Sequence, residues 1–230
     1  MKRLLLAGIV LLSLAATSAV AADLPARMPT KAPAMYRAYN WSGWYLGING
    51  GYGWGRSSWT DTASGATTGD FDVSGGLVGG TLGVNWQTGP WVFGLEGDGD
   101  WSDLRGSTAT NCVVGCETRN NWLATFRGRV GYAFDRVLPY FTGGLAAGDI
   151  EAGVVGVTRE GSTRAGWTVG GGVEWAIAGP WTAKIEYLYA DLGKTSCSAA
   201  ACTGVVGPTD VDFRANIVRG GINYRFAPAF

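Results

Sequence analysis

The chain has 230 residues, of which 16% are charged, 38 are glycine and 11 are tryptophan, and none is histidine. A typical soluble domain has about 25% charged residues, so this composition is unusual for a soluble protein. Eighteen basic residues balance 18 acidic ones and leave no basic excess for nucleic-acid binding. The absence of histidine excludes hydrolases with a Ser-His or Cys-His pair, and also metal and haem sites that need an imidazole ligand.

The N-terminus has the features of a secretory signal peptide. Lys2 and Arg3 precede the apolar run Leu4–Leu14, and Ala19-Val20-Ala21 supplies small residues for cleavage. The run is too short to span a bilayer as a helix, and a buried N-terminal helix is the alternative interpretation. We therefore predict that residues 1–21 are a signal peptide and that the protein is exported.

A proline-rich segment follows at residues 22–40. Pro25, Pro29 and Pro33 lie among small and basic residues, and proline fixes φ and removes a hydrogen-bond donor. This pattern predicts an extended linker in the periplasm, with a partner-binding arm as the alternative. The remaining residues, 41–230, form the main predicted domain.

Apolar and small or polar residues alternate along most of this domain. In the first segment Trp44 and Ile48 share one face, while Tyr45 and Asn49 share the other. This period of two is typical of β-strands, because successive side chains point to opposite sides. The same alternation recurs in the segments that begin at Trp91, Trp122, Trp167, Trp181 and Val218.

Alternation alone does not say which face is inside, because a lipocalin-like soluble barrel would turn its apolar face inward. Aromatic residues on this face are often ten apart, as Trp44 and Trp54 are. In a tilted strand that spacing rises about 25 Å, which matches the apolar band of an outer-membrane barrel. We therefore predict an outward apolar face with an aromatic girdle at each membrane interface. The predicted girdle residues are Trp44, Trp54, Trp86, Trp91, Trp101, Trp122, Tyr132, Trp167, Trp175, Trp181, Tyr189, Tyr224 and Phe226.

Turn signals set the number of strands. Gly89-Pro90 and Gly179-Pro180 each separate two tryptophan-bearing segments, and Asp135–Leu138 provides a third short connection. Longer polar stretches alternate with these turns. The predicted outer loops are Arg56–Asp72, Ser102–Thr118, Ala152–Thr163 and Gly193–Asp210.

The predicted fold is therefore all-β, an eight-stranded antiparallel transmembrane β-barrel with short periplasmic turns and long outer loops. Both termini are expected on the side of the short turns. The face assignment is open in the strand from Leu138 to Ile150, because Tyr140 and Phe141 compete for the outward position.

Several segments together carry a family resemblance. They are Ala22-Asp23-Leu24-Pro25, the first strand at residues 40–55, Arg127–Tyr132, Pro139–Leu145 and the ending Arg219–Phe226. In combination they resemble the small alphaproteobacterial outer-membrane β-barrel family, often labelled "porin family" or "outer-membrane immunogenic protein". The resemblance covers essentially the whole mature chain.

This resemblance implies a location in the Gram-negative outer membrane, in contact with its lipid and lipopolysaccharide. It also implies the barrel-assembly machinery and periplasmic chaperones as partners during biogenesis, while the oligomeric state stays open. The family ends in an aromatic assembly signal, for which either Phe226 or Phe230 is available.

Charged residues of both signs fall on the predicted inward face. An eight-stranded barrel is just wide enough for its side chains to fill the lumen, and buried charges have to be paired. We therefore predict an ion-pair plug, with a charged constriction for small solutes as the alternative. The predicted members are Glu96, Asp98, Asp100, Arg127, Arg129, Glu174, Lys184, Glu186, Arg219 and Arg225.

No metal or cofactor site is predicted. Asp98, Asp100 and Asp103 resemble the start of a calcium loop, but the glycine and glutamate that complete an EF-hand are missing. An even number of cysteines in an oxidising compartment predicts disulfides, and three pairings are open. The four cysteines are Cys112, Cys116, Cys197 and Cys202.

These observations favour a structural outer-membrane barrel that contributes to envelope integrity and presents its loops at the surface. The first alternative is a narrow porin for small hydrophilic solutes. A lipid-modifying barrel enzyme is disfavoured by the missing histidine, and a soluble periplasmic binding barrel would be washed from membranes by salt. We therefore expect no enzymatic activity.

Overall fold

The computed structural model describes residues 39–61, 65, 67–110, 115–154, 159–197 and 209–226. Eight strands account for nearly all of them: β1 (Gly43–Asp61), β2 (Thr67–Thr88), β3 (Trp91–Thr108), β4 (Cys116–Tyr132), β5 (Val137–Val154), β6 (Arg159–Ala178), β7 (Trp181–Cys197) and β8 (Thr209–Arg225). Each strand pairs with the next in antiparallel fashion, and β8 pairs with β1 to close the barrel. The described part of the chain contains no helix long and apolar enough to cross a membrane.

The alternation in the sequence becomes the two faces of the barrel wall. Trp44 and Ile48 of β1 point outward and are exposed, whereas Tyr45 and Asn49 are buried in the lumen. In β5 the sequence left open which of two neighbouring residues faces outward. Phe141 is 77% exposed and faces outward, whereas Tyr140 is 4% exposed and faces the lumen. The prediction of an eight-stranded antiparallel barrel is confirmed.

The three short connections lie where the sequence predicts them. Gly89 and Gly179 have φ angles of 59° and 53°, which two-residue hairpin turns require at their first position. Asp135 has a φ of 53°, and next to it Phe134 and Val137 form a bridge that closes the third connection. These turns and both ends of the β1–β8 domain therefore lie at one end of the barrel, which we call the turn side. The opposite end is the loop side.

The four predicted outer loops are too long, because every strand continues into them. β1 and β2 extend to Asp61 and back from Thr67, where the sequence predicts a loop over residues 56–72. In this region the large apolar residues Trp59 and Phe71 point into the barrel and are buried. The apolar-outward pattern used to find the strands is thus reversed here. The shorter connections that remain lie around residues 62–66, 109–115, 155–158 and 198–208.

The predicted signal peptide at residues 1–21 and most of the predicted linker lie outside the described residues, as does Phe230. The last residues before β1 are described, and they run across the turn side of the barrel. β1 itself begins at Gly43, two residues after the predicted start of the domain.

Candidate functional site

The lumen holds a single connected set of ion pairs at mid-height, which we call the charged layer. Nine of the ten residues predicted for it are brought together here, and their side chains are almost completely buried. The charged layer consists of Glu96, Asp98, Asp100, Arg127, Arg129, Glu174, Lys184, Glu186 and Arg219.

Arg127 is the centre of this layer. Its Nη2 atom lies 2.5 Å from Glu96 Oε1 and 3.0 Å from Asp98 Oδ1, and its Nη1 atom lies 2.8 Å from Glu186 Oε2. Glu96 is its direct cross-strand neighbour on β3, whereas Glu186 is on β7. The guanidinium therefore bridges opposite sides of the barrel wall.

Arg219 repeats this arrangement from β8. Its Nη1 atom lies 2.7 Å from Asp100 Oδ2, its Nε atom lies 2.8 Å from Glu186 Oε1, and it also pairs with Asp98. The rigid fork of guanidinium donors suits such multiple pairing. Two arginines thus connect β3, β4, β7 and β8 across the lumen.

The turn side of the charged layer is built around Glu174 and Arg129. Glu174 Oε2 accepts from Arg129 Nη2 at 2.7 Å, and its Oε1 accepts from Thr182 Oγ1 at 2.5 Å and from Asn223 Nδ2 at 3.0 Å. Lys184 Nζ lies 3.0 Å from Glu96 Oε2 and so joins this part to the centre.

Two tyrosines that the sequence analysis does not assign to the network also take part in it. Tyr45 donates to Glu96 Oε2 at 2.7 Å, and Tyr140 donates to Glu186 Oε2 at 3.2 Å. The Arg129 guanidinium lies 4.5 Å from the centroid of the Tyr140 ring, within the range of a cation–π contact. Inward parity is the sequence signal that identifies Tyr45, whereas the sequence leaves the face of Tyr140 open.

Arg225 does not join the charged layer, which corrects its predicted membership. Its Nη2 atom donates to the carbonyl oxygens of Asn40 at 2.6 Å and Ser42 at 2.8 Å. The inward parity is right, but Arg225 is the last residue of β8 and lies at the end of the barrel. The charged layer therefore has five carboxylates and four cations.

Arg225 contacts a second group of side chains, which packs into the turn side of the lumen. Trp41 is completely buried and packs with Val92, Leu138 and Ala176. Its indole Nε1 donates to the Asp135 carbonyl at 2.9 Å. We call this group, together with Tyr39 and Ala133 at its edge, the turn-side cluster.

The segment before β1 is held firmly in this cluster. The Trp41 amide donates to Gln87 Oε1 at 2.7 Å, and the Tyr39 amide donates to Asp135 Oδ1 at 2.9 Å. The Arg225 guanidinium lies 4.9 Å from the Tyr39 ring centroid and 5.5 Å from that of Trp41. The sequence analysis assigns residues up to 40 to the linker and does not anticipate this contact. The odd number of Trp41, which gives it the inward parity of Tyr45, is the signal that could have found it.

A third group, the loop-side cluster, fills the opposite end of the lumen with apolar side chains. None of its members is more than 8% exposed. Leu188 and Ile217 lie one inward position beyond the charged-layer residues Glu186 and Arg219 of their strands. The cluster consists of Trp59, Phe71, Val73, Leu77, Leu104, Cys116, Leu123, Ala146, Ile150, Leu188, Leu192, Phe213, Ala215 and Ile217.

The thirteen predicted girdle residues all lie on the outward face, in two groups. Eight lie towards the turn side, where Trp91 and Tyr132 meet edge to face with ring centroids 5.3 Å apart, as do Trp181 and Tyr224 at 5.1 Å. The loop-side group consists of Trp54, Trp101, Trp122, Trp167 and Tyr189. Trp122 and Tyr189 are half-buried, and the others are exposed.

The cysteines are described only in part. Cys116 is buried and disulfide-bonded, while the side chains of Cys112, Cys197 and Cys202 lie outside the described residues. The pairing therefore stays a prediction. The described side chains include no group of three or more Cys, Asp or Glu placed to hold a metal ion.

Comparison with known proteins finds a matching family model and similar chains. The family model for the outer membrane protein beta-barrel domain matches residues 7–226. The chain is 38% identical over 248 residues to the 31 kDa outer-membrane immunogenic protein of Brucella melitensis, with 98% of this chain and 100% of the relative covered. It is 30% identical over 227 residues to the 25 kDa outer-membrane immunogenic protein of the same species, with 98% and 99% covered.

A solved structure agrees with the fold. The outer membrane protein OprG from Pseudomonas aeruginosa matches with a TM-score of 0.50 at 14% identity, covering 80% of this chain and 97% of the OprG chain. At this level of identity the likeness concerns the fold alone.

Proposed function

The chain belongs to the outer membrane protein β-barrel domain family, and we propose that it acts as a closed structural barrel rather than as a pore or an enzyme. It is a protein of the Gram-negative outer membrane, and two of its relatives are named outer-membrane immunogenic proteins. The proposed role is physical. The barrel keeps an apolar belt in the lipid, contributes to envelope integrity and presents its loops to the outside.

The observation that carries this proposal is the filling of the lumen at three successive heights. Trp41 and its neighbours occupy the turn side, the charged layer occupies the middle, and apolar side chains occupy the loop side. A water-filled path would have to pass the buried side chains of both clusters, and polar groups at the loop side, such as Ser57 and Thr118, already bond to each other. We therefore infer that the folded barrel does not conduct ions.

The charges themselves support the same function. A selective pore is typically lined by an excess of one sign, whereas here five carboxylates and four cations pair with each other through short contacts. Buried pairs of this kind are costly to break, because the remaining charge has no partner. The charged layer thus connects strands across the lumen and stabilises the closed barrel.

One observation favours the narrow porin as the second candidate. Asn85 has two buried side-chain atoms without a hydrogen-bond partner, and Asn49 Oδ1 and Asn223 Oδ1 also have none among the described residues. Buried polar atoms of this kind are usually satisfied by water. Wet pockets inside the lumen would conduct only if they joined through the two apolar clusters.

Single-channel recording in a planar bilayer tests the proposal. The refolded mature protein is expected to leave the bilayer silent, and heat-modifiable gel migration verifies that the barrel is folded. The Trp41→Ala variant is also expected to be silent, because the charged layer and the loop-side cluster remain in place. Trp44→Ala, which removes an outward tryptophan three residues away, is the matched control.

Discrete conductance steps from the folded wild-type protein would contradict the closed barrel. If those steps also changed on Arg129→Gln substitution, the protein would be assigned to the narrow porins. Steps in Trp41→Ala alone would mean that the turn-side cluster is the only seal.

A further inference from the structure

The charged layer has one more carboxylate than it has cations, and the surplus lies in its loop-side half. On the turn side, Arg129 contacts both Glu96 and Glu174, and Lys184 contacts Glu96, so that charges of the two signs are equal in number. On the loop side two arginines share three carboxylates. These residues are Arg127 and Arg219 with Asp98, Asp100 and Glu186. A buried charge without a counter-charge is costly, so this half of the layer needs one further positive charge.

Asp100 is the carboxylate with the fewest partners. Its Oδ2 atom accepts from Arg219 Nη1 at 2.7 Å, while its Oδ1 atom has no hydrogen-bond partner among the described residues. Asp98 and Glu186 each contact both arginines, and both of their oxygens accept hydrogen bonds. Asp100 is only 3% exposed, so bulk water does not reach it. The unmatched charge therefore belongs to Asp100.

A second unpartnered acceptor lies beside this carboxyl group. Asn49 of β1 and Asp100 of β3 stand opposite the same residue of β2, Gly79, from its two sides. A Cβ at Gly79 would overlap Asp100 Oδ1, and this free space lets the carboxyl group come within interaction distance of Asn49. Asn49 Nδ2 donates to Thr81 Oγ1 at 3.0 Å, but its Oδ1 atom has no donor. Two acceptor oxygens cannot bond to each other unless one of them carries a hydrogen.

We propose that Asp100 Oδ1 carries a proton at neutral pH and donates it to Asn49 Oδ1. One proton neutralises the surplus charge and completes the hydrogen bonding of both oxygens. A metal ion fits less well, because calcium and magnesium take about six or more ligands, and these two are the only unpartnered buried oxygens that the described residues place in this half of the layer. Asp100 carries this proton whether or not the barrel conducts.

The groups around Asp100 determine how the barrel responds to pH. The charged neighbours are Arg219 of β8, Arg127 of β4 and Asp98 of β3, with Glu186 of β7 beyond the arginines. The inward positions beside Asp100 on β1 and β2 hold no titratable residue. An unfolded chain releases the aspartate proton near about pH 4, whereas the barrel keeps it. Folding at neutral pH therefore takes up one proton, and each rise of one pH unit weakens the folded state about tenfold through Asp100.

Infrared spectroscopy of the folded full-length mature protein in lipid vesicles tests for this proton. At pH 7 a buried carboxylic acid has a C=O stretching band that is separate from the carboxylate bands and shifts in D₂O. The wild-type protein is expected to show this band, and Asp100→Asn is expected to lose it. The asparagine has the same shape, accepts from Arg219 and donates to Asn49, so the variant should fold. Asp103→Asn, at an exposed site on the same strand, is the matched control and should keep the band.

Reversible unfolding at pH 5, pH 6 and pH 7 gives an independent readout. The unfolding equilibrium constant of the wild-type protein, divided by that of Asp100→Asn, is expected to rise about tenfold per pH unit. The same ratio taken with Asp103→Asn should stay within about twofold over this range. Heat-modifiable migration verifies that each variant is folded.

Three outcomes would overturn the proton at Asp100. The first is a wild-type protein without the acid band at pH 7, as expected if the Asn49 amide turns its Nδ2 atom towards an ionised Asp100. The second is a band that survives in Asp100→Asn, which would place the proton on another carboxyl group. The third is an unfolding ratio between the wild-type protein and Asp100→Asn that does not change with pH.

Discussion

The charged layer and the loop-side cluster occupy the same inward face of the same strands, yet their chemistry is opposite. On β7 the inward positions run from Lys184 and Glu186 to Leu188 and Leu192. The outward positions of that strand change the other way, from the aromatic Tyr189 to Asp191. The inward change falls between Glu186 and Leu188, and the outward change falls between Tyr189 and Asp191. The two changes therefore lie next to each other along the strand.

We interpret this coincidence as the height at which the surroundings of the barrel change from lipid to water. In lipid the outer wall has to be apolar, and the lumen can hold polar groups only if they satisfy each other. Beyond the lipid the wall faces water, and the lumen is packed mainly with apolar side chains. The loop side is therefore organised as a small soluble β-barrel above a membrane barrel.

The largest expected effect comes from removing the centre of the charged layer. Arg127→Ala leaves Glu96, Asp98 and Glu186 with a missing partner, and breaking a buried ion pair from one side costs about 3–5 kcal/mol. Reversible unfolding from detergent or lipid measures the free energy of unfolding. Arg105→Ala, at an exposed site, is the control and is expected to change it by less than about 0.5 kcal/mol. Equal free energies of unfolding for the two variants would mean that the charges are hydrated and that their ion pairs do not stabilise the barrel.

A somewhat smaller loss is expected in the loop-side cluster. Leu188→Ala removes a 1% exposed side chain and should cost about 2–5 kcal/mol, because a cavity forms in addition to the lost apolar burial. The control, Leu82→Ala on the lipid-facing wall, should cost about 1–2 kcal/mol, since lipid fills the vacated space. The same unfolding assay compares them. Identical costs would argue against a packed core at the loop side.

The smallest expected effect is the difference between alanine substitutions on the inward and outward faces of β2. At Gly79 on the inward side, a Cβ would overlap the Gly99 carbonyl and the Asp100 side chain, whereas at Gly80 the nearest atom would be 3.7 Å away. Gly79→Ala should therefore cost about 1–3 kcal/mol. Gly80→Ala should be neutral or stabilise by up to about 1 kcal/mol, because it restricts the unfolded chain. The differences are read from paired unfolding curves, and the opposite order would reverse our assignment of the two faces.

Much of this fold could be predicted because its signals are local. Glycine-proline turns and the period of two fix the number of strands, and parity then places Glu96, Arg127 and Glu186 on one face. Parity does not say which of these side chains meet, since that depends on their reach across the lumen. Arg225 shows the limit, because its parity is correct and only its height at the end of β8 separates it from the charged layer.

Other features could not be predicted because the rule that found the strands fails there. Trp59 and Phe71 lie above the lipid, where apolar residues turn inward, so their segments resemble loops when apolar residues are expected outside. Trp41 lies before the first strand, and its burial depends on Gln87 and Asp135 at distant turns. These contacts exist only after the barrel has closed.

The sequence alone determined the eight strands, the outward aromatic belt and the set of charges that face inward, because each follows from alternation and turn chemistry along a short stretch of chain. Only the tertiary structure decided which charges pair, that Trp41 packs into the turn-side cluster, and that a cluster of buried apolar side chains forms at the loop side. Those outcomes depend on height within the barrel and on which strands face each other across the lumen. Both arise from the register of the closed sheet, and no single strand encodes them.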